Sequence, residues 1–240
     1  MIKSDVTEIL PQTLLPVLPQ TVTMGPRTGL VIVDIVKGFA AVGKGALAPP
    51  TPNAQVTQMI EETHALAQRF IAESRPILAF LDTHQPGKAE PPYPPHCEIG
   101  SGEEDFVEEL AWLESEDAVT KIRKDCINGF IGAVAPDGGN AFVDWIRAHQ
   151  LRQIVTVGIC TDICVMDFVL TTLSARNHGM LGDLADIIVY EPACATYDLS
   201  GEMAAEFGLP KSAIHPQFLT HHLGLYCMAS RGAIIATKLF

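Results

Sequence analysis

Val155-Thr-Val-Gly-Ile-Cys-Thr-Asp-Ile-Cys164-Val is the stretch from which the fold can be worked out. Its first residues are rich in β-branched side chains, which suit a strand buried on both faces. Gly158 permits a sharp turn, and Thr161 or Asp162 can cap a helix that follows. The stretch therefore predicts a buried strand that leads directly into a helix.

The thiol of Cys164 falls in the first turn of that helix. Unpaired amides and the positive end of the helix dipole stabilise an anion there, so we expect the thiolate form to be favoured. Cys164 is then placed to act as a nucleophile. The alternative is that it is a buried small residue, which is how most free cysteines behave.

Short β-rich runs alternate with longer helical patterns along the rest of the chain. This alternation predicts an α/β fold with three layers, in which helices cover both faces of a doubly wound, mostly parallel, six-stranded sheet. We expect strands near 29–34, 76–82, 118–123, 153–158, 186–190 and 233–237. Helical spacing is found in 53–74, 103–113, 139–149, 162–178 and within 215–229.

The domain organisation predicted from the 240 residues is an N-terminal extended arm, 1–27, and one domain, 28–240. No Ser/Gly-rich or charged linker divides the domain, and a chain that is 48% hydrophobic can bury a sizeable core. The arm is rich in proline and fits no helix or strand pattern. We expect it to extend over a neighbouring surface, such as another subunit of a homo-oligomer.

Composition excludes several classes of partner. The formal net charge of -12 argues against nucleic acid and anionic membranes. No apolar run is long enough for a membrane helix. The six cysteines lack zinc-knuckle spacing, and no signal peptide is apparent, so we expect reduced thiols and a cytoplasmic protein with a small-molecule substrate.

Four reactive side chains follow successive predicted strands: Asp34, Asp82, Lys124 and Cys164. In an open parallel sheet the carboxyl ends of the strands meet at one edge, where ligands bind. Taken singly, a strand-end Asp often caps a loop and a Lys is usually solvated. Their shared position instead predicts one catalytic cleft.

Amide hydrolysis through a thioester is the chemistry that these groups can perform. Cys164 attacks the carbonyl carbon, and Asp34 takes the thiol proton and passes it to the departing amine. Lys124 supplies positive charge, and the backbone amides of Cys160 and Cys164 hold the oxyanion. A Cys-His dyad is the competing arrangement, but no histidine stands out as its base.

A second cluster lies in the loop 83–102, which contains five prolines. Asp82, His84 and His96 form a set of one carboxylate and two imidazoles that suits Zn²⁺, Fe²⁺ or Mn²⁺. Glu90 can add a contact through water, but we expect it to be solvated. The alternative is that both histidines are ordinary loop residues.

The chain resembles the nicotinamidases of the isochorismatase-like cysteine hydrolase superfamily, and most closely their plant-type branch. The resemblance covers about 28–238. It rests on Val33-Asp34-Ile-Val-Lys-Gly-Phe39, Asp82-Thr-His84, Pro91-Pro-Tyr93-Pro-Pro-His96-Cys97, Arg123-Lys124-Asp-Cys-Ile-Asn-Gly-Phe130 and Gly158-Ile-Cys-Thr-Asp-Ile-Cys164-Val.

The resemblance implies a reaction and a set of residues. It implies hydrolysis of nicotinamide to nicotinate and ammonia in NAD salvage, with a divalent metal, taken as zinc, binding the pyridine nitrogen. It also implies a cis peptide between Ile159 and Cys160 that shapes the oxyanion hole. By the same resemblance, the catalytic triad is Asp34, Lys124 and Cys164, the metal ligands are Asp82, His84 and His96, and the residues flanking the ring are Phe39 and Tyr93.

Two positions depart from the common family pattern. Val36 stands where many members have Gln, and Tyr93 stands where Trp is usual, which bears on substrate preference. Alternative functions are hydrolysis of another small amide, of ureido or maleamate type, and a noncatalytic binding role. The isochorismatase branch is disfavoured because its chemistry needs no cysteine.

Three histidines near the C-terminus, His215, His221 and His222, could mimic a metal site. No acidic or cysteine partner lies beside them at ligand spacing, so we expect helix-end and packing roles. Thr196, after the fifth predicted strand, either caps a helix or contacts substrate.

Overall fold

A computed structural model describes residues 15–88 and 90–240. Within them, seven strands form one parallel sheet in the order β1-β7-β6-β5-β2-β3-β4. The strands are β1 (Gln20–Val22), β2 (Thr28–Val33), β3 (Ile77–Asp82), β4 (Val119–Lys124), β5 (Gln153–Ile159), β6 (Asp186–Ala195) and β7 (Ile234–Leu239). The helices are α1 (Lys37–Ala40), α2 (Ala54–Ala72), α3 (Gly129–Gly132), α4 (Ala141–Ala148), α5 (Cys164–Asn177), α6 (Gly201–Glu206) and α7 (Gln217–Ala229), with 3₁₀ turns at Glu108–Ser115 and Lys211–Ala213. The predicted α/β class is confirmed.

The central strand β2 is buried on both faces, as predicted. Side chains alternate across a strand, so Leu30 and Ile32 pack in the core on the α2 side. Val31 and Val33 pack in a second core on the other side, which α4, α5 and α7 cover. All four of these side chains are 0% exposed. The two cores make the three layers of the fold.

The strand order changes direction next to β2, and this change determines where a binding crevice can form. From β2 the chain builds β3 and β4 to one side and then crosses to β5 on the other. The carboxyl ends of β2 and β5 therefore flank the point at which the connections diverge. Such a point leaves a crevice, because the two flanking loops lead to opposite faces of the sheet.

The sheet has one strand more than predicted. β1 lies within the predicted arm 1–27 and pairs in parallel with β7. The amide of Met24 also bonds to the carbonyl of Phe240. Residues 20–24 thus pair with this chain's own sheet edge, whereas 1–14 lie outside the described residues. No helix among the described residues is both long and apolar enough to cross a membrane.

The helix predicted over 103–113 was wrong in type and extent, since a 3₁₀ turn over Glu108–Ser115 takes its place. The carbonyls of Glu103 and Asp105 accept the amides of Gly38 and Lys37. Because those carbonyls serve another segment, they cannot support a helix of their own.

Gly158 allows β2 and β5 to approach closely at the site. Its φ is +134°, and a Cβ there would lie 2.1 Å from the carbonyl oxygen of Val33. We expect Gly158→Ala to lower the free energy of unfolding by roughly 3 kcal/mol, through backbone strain and steric overlap. Urea denaturation measures this.

The matched control is Gly179→Ala. Gly179 also has a positive φ, +83°, but open space surrounds the position of its Cβ. Only the strain of a positive φ remains, so the expected loss in the free energy of unfolding is about 1 kcal/mol. Equal losses in the two variants would contradict the role given to close strand approach.

Candidate active site

A buried ion pair joins the ends of β2 and β4. Lys124 Nζ lies 2.7 Å from Asp34 Oδ2, and both side chains are 0% exposed. The same Nζ donates to Asp82 Oδ1 and to the carbonyl of Cys126, each at 2.9 Å. Two hydrogen bonds and the ion pair with Asp34 surround this nitrogen, and although burial alone would lower the pKa of Lys124, the neighbouring carboxylates raise it well above its usual value, so Lys124 is held as a cation.

Of the two carboxylates beside Lys124, Asp34 has fewer hydrogen bonds than Asp82. Its contact with Lys124 lies off the axis of a good hydrogen bond, and neither of its oxygens has a well-aligned partner among the described residues. Burial raises the pKa of Asp34 to about 7, against the lowering effect of the neighbouring Lys124 cation. A carboxylate with such a pKa can accept and return a proton near neutral pH.

Asp82 is held as a carboxylate. Burial alone would raise its pKa, but Lys124, His84 and His96 together hold the pKa of Asp82 well below its usual range. The two aspartates that flank Lys124 thus have opposite proton affinities. Such a separation is typical of a site in which one carboxylate moves protons and the other binds a cation.

Cys164 begins α5 and lies against Asp34, as predicted. The expectation that helix position favours the thiolate was wrong. The residue is 8% exposed, and burial raises the pKa of its thiol well above the usual value, with Asp34 adding to the rise and Lys124 opposing it. A thiol in this environment needs a base, and Asp34 is the carboxylate beside it.

The turn between β5 and α5 leaves amides free. The amides of Ile163 and Val165 both bond to the carbonyl of Cys160, and that of Thr161 bonds to Ala195. Across 15–88 and 90–240, no acceptor pairs with the amides of Cys160 and Cys164. The Ile159–Cys160 peptide is cis, as the family resemblance implied. Two free amides beside the thiol match the requirement of an oxyanion hole.

The predicted helix cap was wrong. Ile163 occupies the cap position of α5 and makes no side-chain capping bond. Thr161 and Asp162 bond instead to histidines from the C-terminal part of the chain, Thr161 to His221 at 2.8 Å and Asp162 to His215 at 2.8 Å. Tertiary contacts therefore shape this turn, and local sequence gave no signal for them.

The cluster predicted to bind a metal is assembled and buried. One ligand atom each from Asp82, His84 and His96 lies within 4.8 Å of the others. Asp82 Oδ2 is 3.0 Å from His84 Nε2 and 3.2 Å from His96 Nε2. The rigid loop brings His96 back to the end of β3.

The environment of His96 shows that the cluster suits a cation. Its Nδ1 lies 2.7 Å from the carbonyl of Pro94, so Nδ1 carries a proton and the lone pair of the neutral ring is on Nε2. That lone pair faces the oxygens of Asp82 and Glu90, an arrangement that requires a proton or a metal ion between them. Burial opposes protonation, yet the two carboxylates raise the pKa of His96 to about 10. The donor set therefore fits a divalent metal.

Glu90 is not the solvated residue that we expected. Its side chain is 18% exposed, and Oε2 lies 3.6 Å from His84 Nε2 and 3.5 Å from His96 Nε2. Its Oε1 accepts the amide of Ile127. The Glu90 carboxylate thus lies next to the cluster, but farther from both histidines than Asp82 does.

Both aromatic residues singled out by the resemblance lie against the cluster. The ring centroid of Phe39 is 5.5 Å from that of His96, and the centroid of Tyr93 is 6.1 Å from it. Both side chains are half-buried. They can therefore border a flat ligand next to His96.

The three C-terminal histidines do not form a metal site within the described residues. His222 Nε2 bonds to the carbonyl of Leu15, and the other two hold the turn before α5. Thr196 does not cap a helix, because its hydroxyl donates to Asp162 Oδ1 at 2.6 Å.

The chain belongs to the isochorismatase family, since the family described as "Isochorismatase domain" matches 28–210. It is 50% identical to Nicotinamidase 1 of Arabidopsis thaliana over 221 residues, which cover 92% of this chain and 90% of that protein. It is also similar to an uncharacterized isochorismatase family protein of Bacillus subtilis, at 27% identity over 73% of this chain and 90% of that one.

Solved structures share the fold. A nicotinamidase from Bacillus subtilis matches with a TM-score of 0.63 at 21% identity, covering 88% of this chain and 99% of that one. A pyrazinamidase from Pyrococcus horikoshii, solved in complex with zinc, matches with a TM-score of 0.62 at 20% identity, covering 88% and 98%. These neighbours support the architecture described above.

Proposed function

We propose that this protein is a nicotinamidase, which hydrolyses nicotinamide to nicotinate and ammonia in NAD salvage. The observation that carries the proposal is the buried group of Asp34, Lys124 and Cys164 next to a three-ligand cluster. It occurs in a chain 50% identical to Nicotinamidase 1. A thiol, a base, a fixed cation and free amides at one sheet edge are the groups that amide hydrolysis requires.

Acylation is the first half of the reaction. Asp34 takes the proton of the Cys164 thiol, and the sulfur forms a bond to the carboxamide carbon. The carbonyl oxygen becomes an oxyanion that the amides of Cys160 and Cys164 hold. Asp34 returns the proton to the amine as the carbon–nitrogen bond breaks, which releases ammonia and leaves a thioester.

Deacylation reverses these roles with water. Asp34 takes a proton from a water molecule while the water oxygen attacks the thioester carbon. The sulfur of Cys164 then leaves and recovers this proton from Asp34. Lys124 keeps its charge throughout, since three acceptors surround it. It counters the negative charge that would otherwise build up on Asp34 and Asp82.

A metal ion, with Zn²⁺ as our proposal and Fe²⁺ or Mn²⁺ as alternatives, would be held by Asp82, His84 and His96. When bound, it supplies a Lewis-acidic position for the pyridine nitrogen. Phe39 and Tyr93 flank the ring, which orients the carboxamide toward Cys164. The zinc-bound pyrazinamidase with the same fold supports the choice of metal.

The test of the function is ammonia release from nicotinamide by purified, metal-loaded protein. We expect turnover with nicotinamide and weaker turnover with ureido and maleamate-type amides. If nicotinamide releases no ammonia while one of those amides does, the substrate is wrong and the cysteine amidohydrolase class stands. Release from none of them would refute the amidohydrolase assignment.

Metal removal gives a separate prediction. We expect a chelator to lower kcat/KM at least about tenfold and one equivalent of Zn²⁺ to restore it, because the ligand cluster positions the ring. Elemental analysis should find one divalent ion per chain in the active enzyme. His84→Ala should lose both the ion and the activity.

The matched control for metal removal is His149→Ala, because His149 is exposed at the end of α4. This variant should keep its ion and its activity. Full activity in chelated protein that contains no metal would contradict the proposed role of the cluster.

We also propose a cytoplasmic location and a homo-oligomer. All six cysteines, which lie within the described residues, are free thiols, as expected in a reducing compartment. On α7, the apolar side chains of Phe218, Leu219 and Leu223 are 43%, 37% and 43% exposed. Adjacent exposed apolar residues of this kind are typical of subunit contacts.

A further inference from the structure

A hydrogen-bonded network surrounds Asp162, two residues before Cys164. Asp162 Oδ1 accepts from the hydroxyl of Thr196 at 2.6 Å, and Oδ2 lies 2.8 Å from His215 Nε2. His215 Nδ1 lies 2.9 Å from the carbonyl oxygen of Tyr197. The Tyr197 ring stacks on His215 with centroids 3.8 Å apart and planes 13° apart. His215 therefore has a fixed position and a fixed ring plane.

The partners of His215 determine its protonation. Nε2 faces a carboxylate and Nδ1 faces the Tyr197 carbonyl, and both of these groups only accept hydrogen bonds. The Thr220 hydroxyl also lies 3.3 Å from Nδ1, but its proton has a closer acceptor in the carbonyl of Pro216, at 3.1 Å. Both ring nitrogens must therefore donate, which makes His215 an imidazolium. Stacking on an aromatic ring also favours the cation. Consistently, the pKa of His215 is raised by Asp162 and Tyr197 even though burial alone would lower it.

Thr196 anchors the other side of the network. Its amide donates to Gln55 Oε1 at 3.1 Å, and its carbonyl accepts from Gln217 Nε2 at 2.6 Å. Gln55 is on α2, Gln217 begins α7 and Thr196 follows β6. Three elements that do not contain the nucleophile thus fix the carboxylate of Asp162.

The network acts on the turn that contains the free amides. Asp162 lies between Cys160 and Cys164, and the backbone here closes on the Cys160 carbonyl through the amides of Ile163 and Val165. If the Asp162 side chain loses its anchor, the peptide planes on either side can rotate. A small displacement of oxyanion donors weakens their effect on the transition state far more than on the bound substrate.

We propose that His215 is a positioning residue, which as an imidazolium between Asp162 and Tyr197 holds the Cys160–Cys164 turn in the shape that presents its amides to the oxyanion. This inference rests on the proposed function, because it assigns the turn a role in acyl transfer. His215 itself contacts neither the thiol nor the ligand cluster. Its contribution is the geometry of the turn.

The test is His215→Gln, assayed in the metal-loaded enzyme. We expect kcat for nicotinamide to fall about tenfold to a hundredfold while KM changes by less than roughly threefold. Pyridine-3-carbaldehyde is the second probe, because the thiol adds across its C=O bond, sulfur to carbon and proton to oxygen, without a leaving group. Its inhibition constant should rise by about the factor that kcat loses.

Asp162→Asn should partly rescue His215→Gln. The single variant leaves a carboxylate without its cation, whereas in the double variant two amides can bond to each other and to Thr196 and Tyr197. Recovery of kcat without a change in KM is the expected result. His222→Gln is the matched control, since His222 contacts the carbonyl of Leu15 and should give wild-type kinetics.

Amide hydrogen exchange tests the positioning without any substrate. In His215→Gln the amides of Ile163 and Val165 should exchange faster, while those of β2 keep their protection. Unchanged kcat and unchanged exchange would overturn the inference, as would faster exchange across the whole sheet. If the wild type releases no ammonia from nicotinamide, the proposed function fails, and local exchange still decides whether His215 holds the turn.

Discussion

Cys164→Ala is expected to abolish turnover of nicotinamide, with kcat lowered by a factor on the order of 10⁴ or more. The physical reason is that no other thiol has the same neighbours, Asp34 at the sulfur and Lys124 beyond it. Substrate binding should survive, because the ligand cluster and the flanking rings are untouched. Steady-state ammonia release and calorimetric titration of nicotinamide measure the two quantities.

Cys227→Ala is the control for this variant. Cys227 is a half-buried cysteine on α7, outside the site, and its loss should leave kcat unchanged. Turnover by Cys164→Ala within about tenfold of wild type would identify another nucleophile. Cys160, the second cysteine of the turn, would then be the residue to replace.

Lys124→Met is expected to be the most destabilising of the substitutions considered. The side chain is fully buried, and its loss leaves Asp34 and Asp82 without their common cation. Removing one partner of a buried ion pair costs roughly 3–5 kcal/mol, because the remaining charge has lost both water and partner. Urea denaturation of metal-free protein measures this cost without compensation from a bound ion.

Lys121→Met provides the comparison within the same strand. Lys121 lies on β4 and donates to the carbonyl of Glu114 near the surface. The expected loss is about 1 kcal/mol or less, which is typical of a single solvated hydrogen bond. Similar losses in the two variants would contradict the view that Lys124 neutralises buried charge.

Most of the sheet could be predicted because its strands are buried on both faces. Strands such as β2, β3 and β5 are continuous apolar runs, and the predicted positions agree within one or two residues. β1 was missed because it is only three residues long and lies among prolines, so it shows no alternation of apolar and polar side chains. β6 continues to Ala195, five residues beyond the prediction, since Pro192 resembles the end of a strand.

The site was predictable to the extent that topology brings strand ends together. Asp34 follows β2, and Asp82 and Lys124 end the neighbouring parallel strands β3 and β4, so their contact is a consequence of the fold. The elevated pKa of the Cys164 thiol was not predictable, because it depends on burial by groups from other strands. The pairing of Asp162 with His215 was equally invisible, since 53 residues separate them.

The short strand β1 also affects how the protein behaves at high concentration. β7 would otherwise be the last strand of the sheet, with its backbone donors and acceptors open to other chains. Such an edge is a template for intermolecular strand pairing and aggregation. β1 is three residues long and largely exposed, so it covers β7 without offering a long edge in turn. A chain shortened to begin after Val22 would be expected to precipitate more readily while its catalytic groups stayed intact.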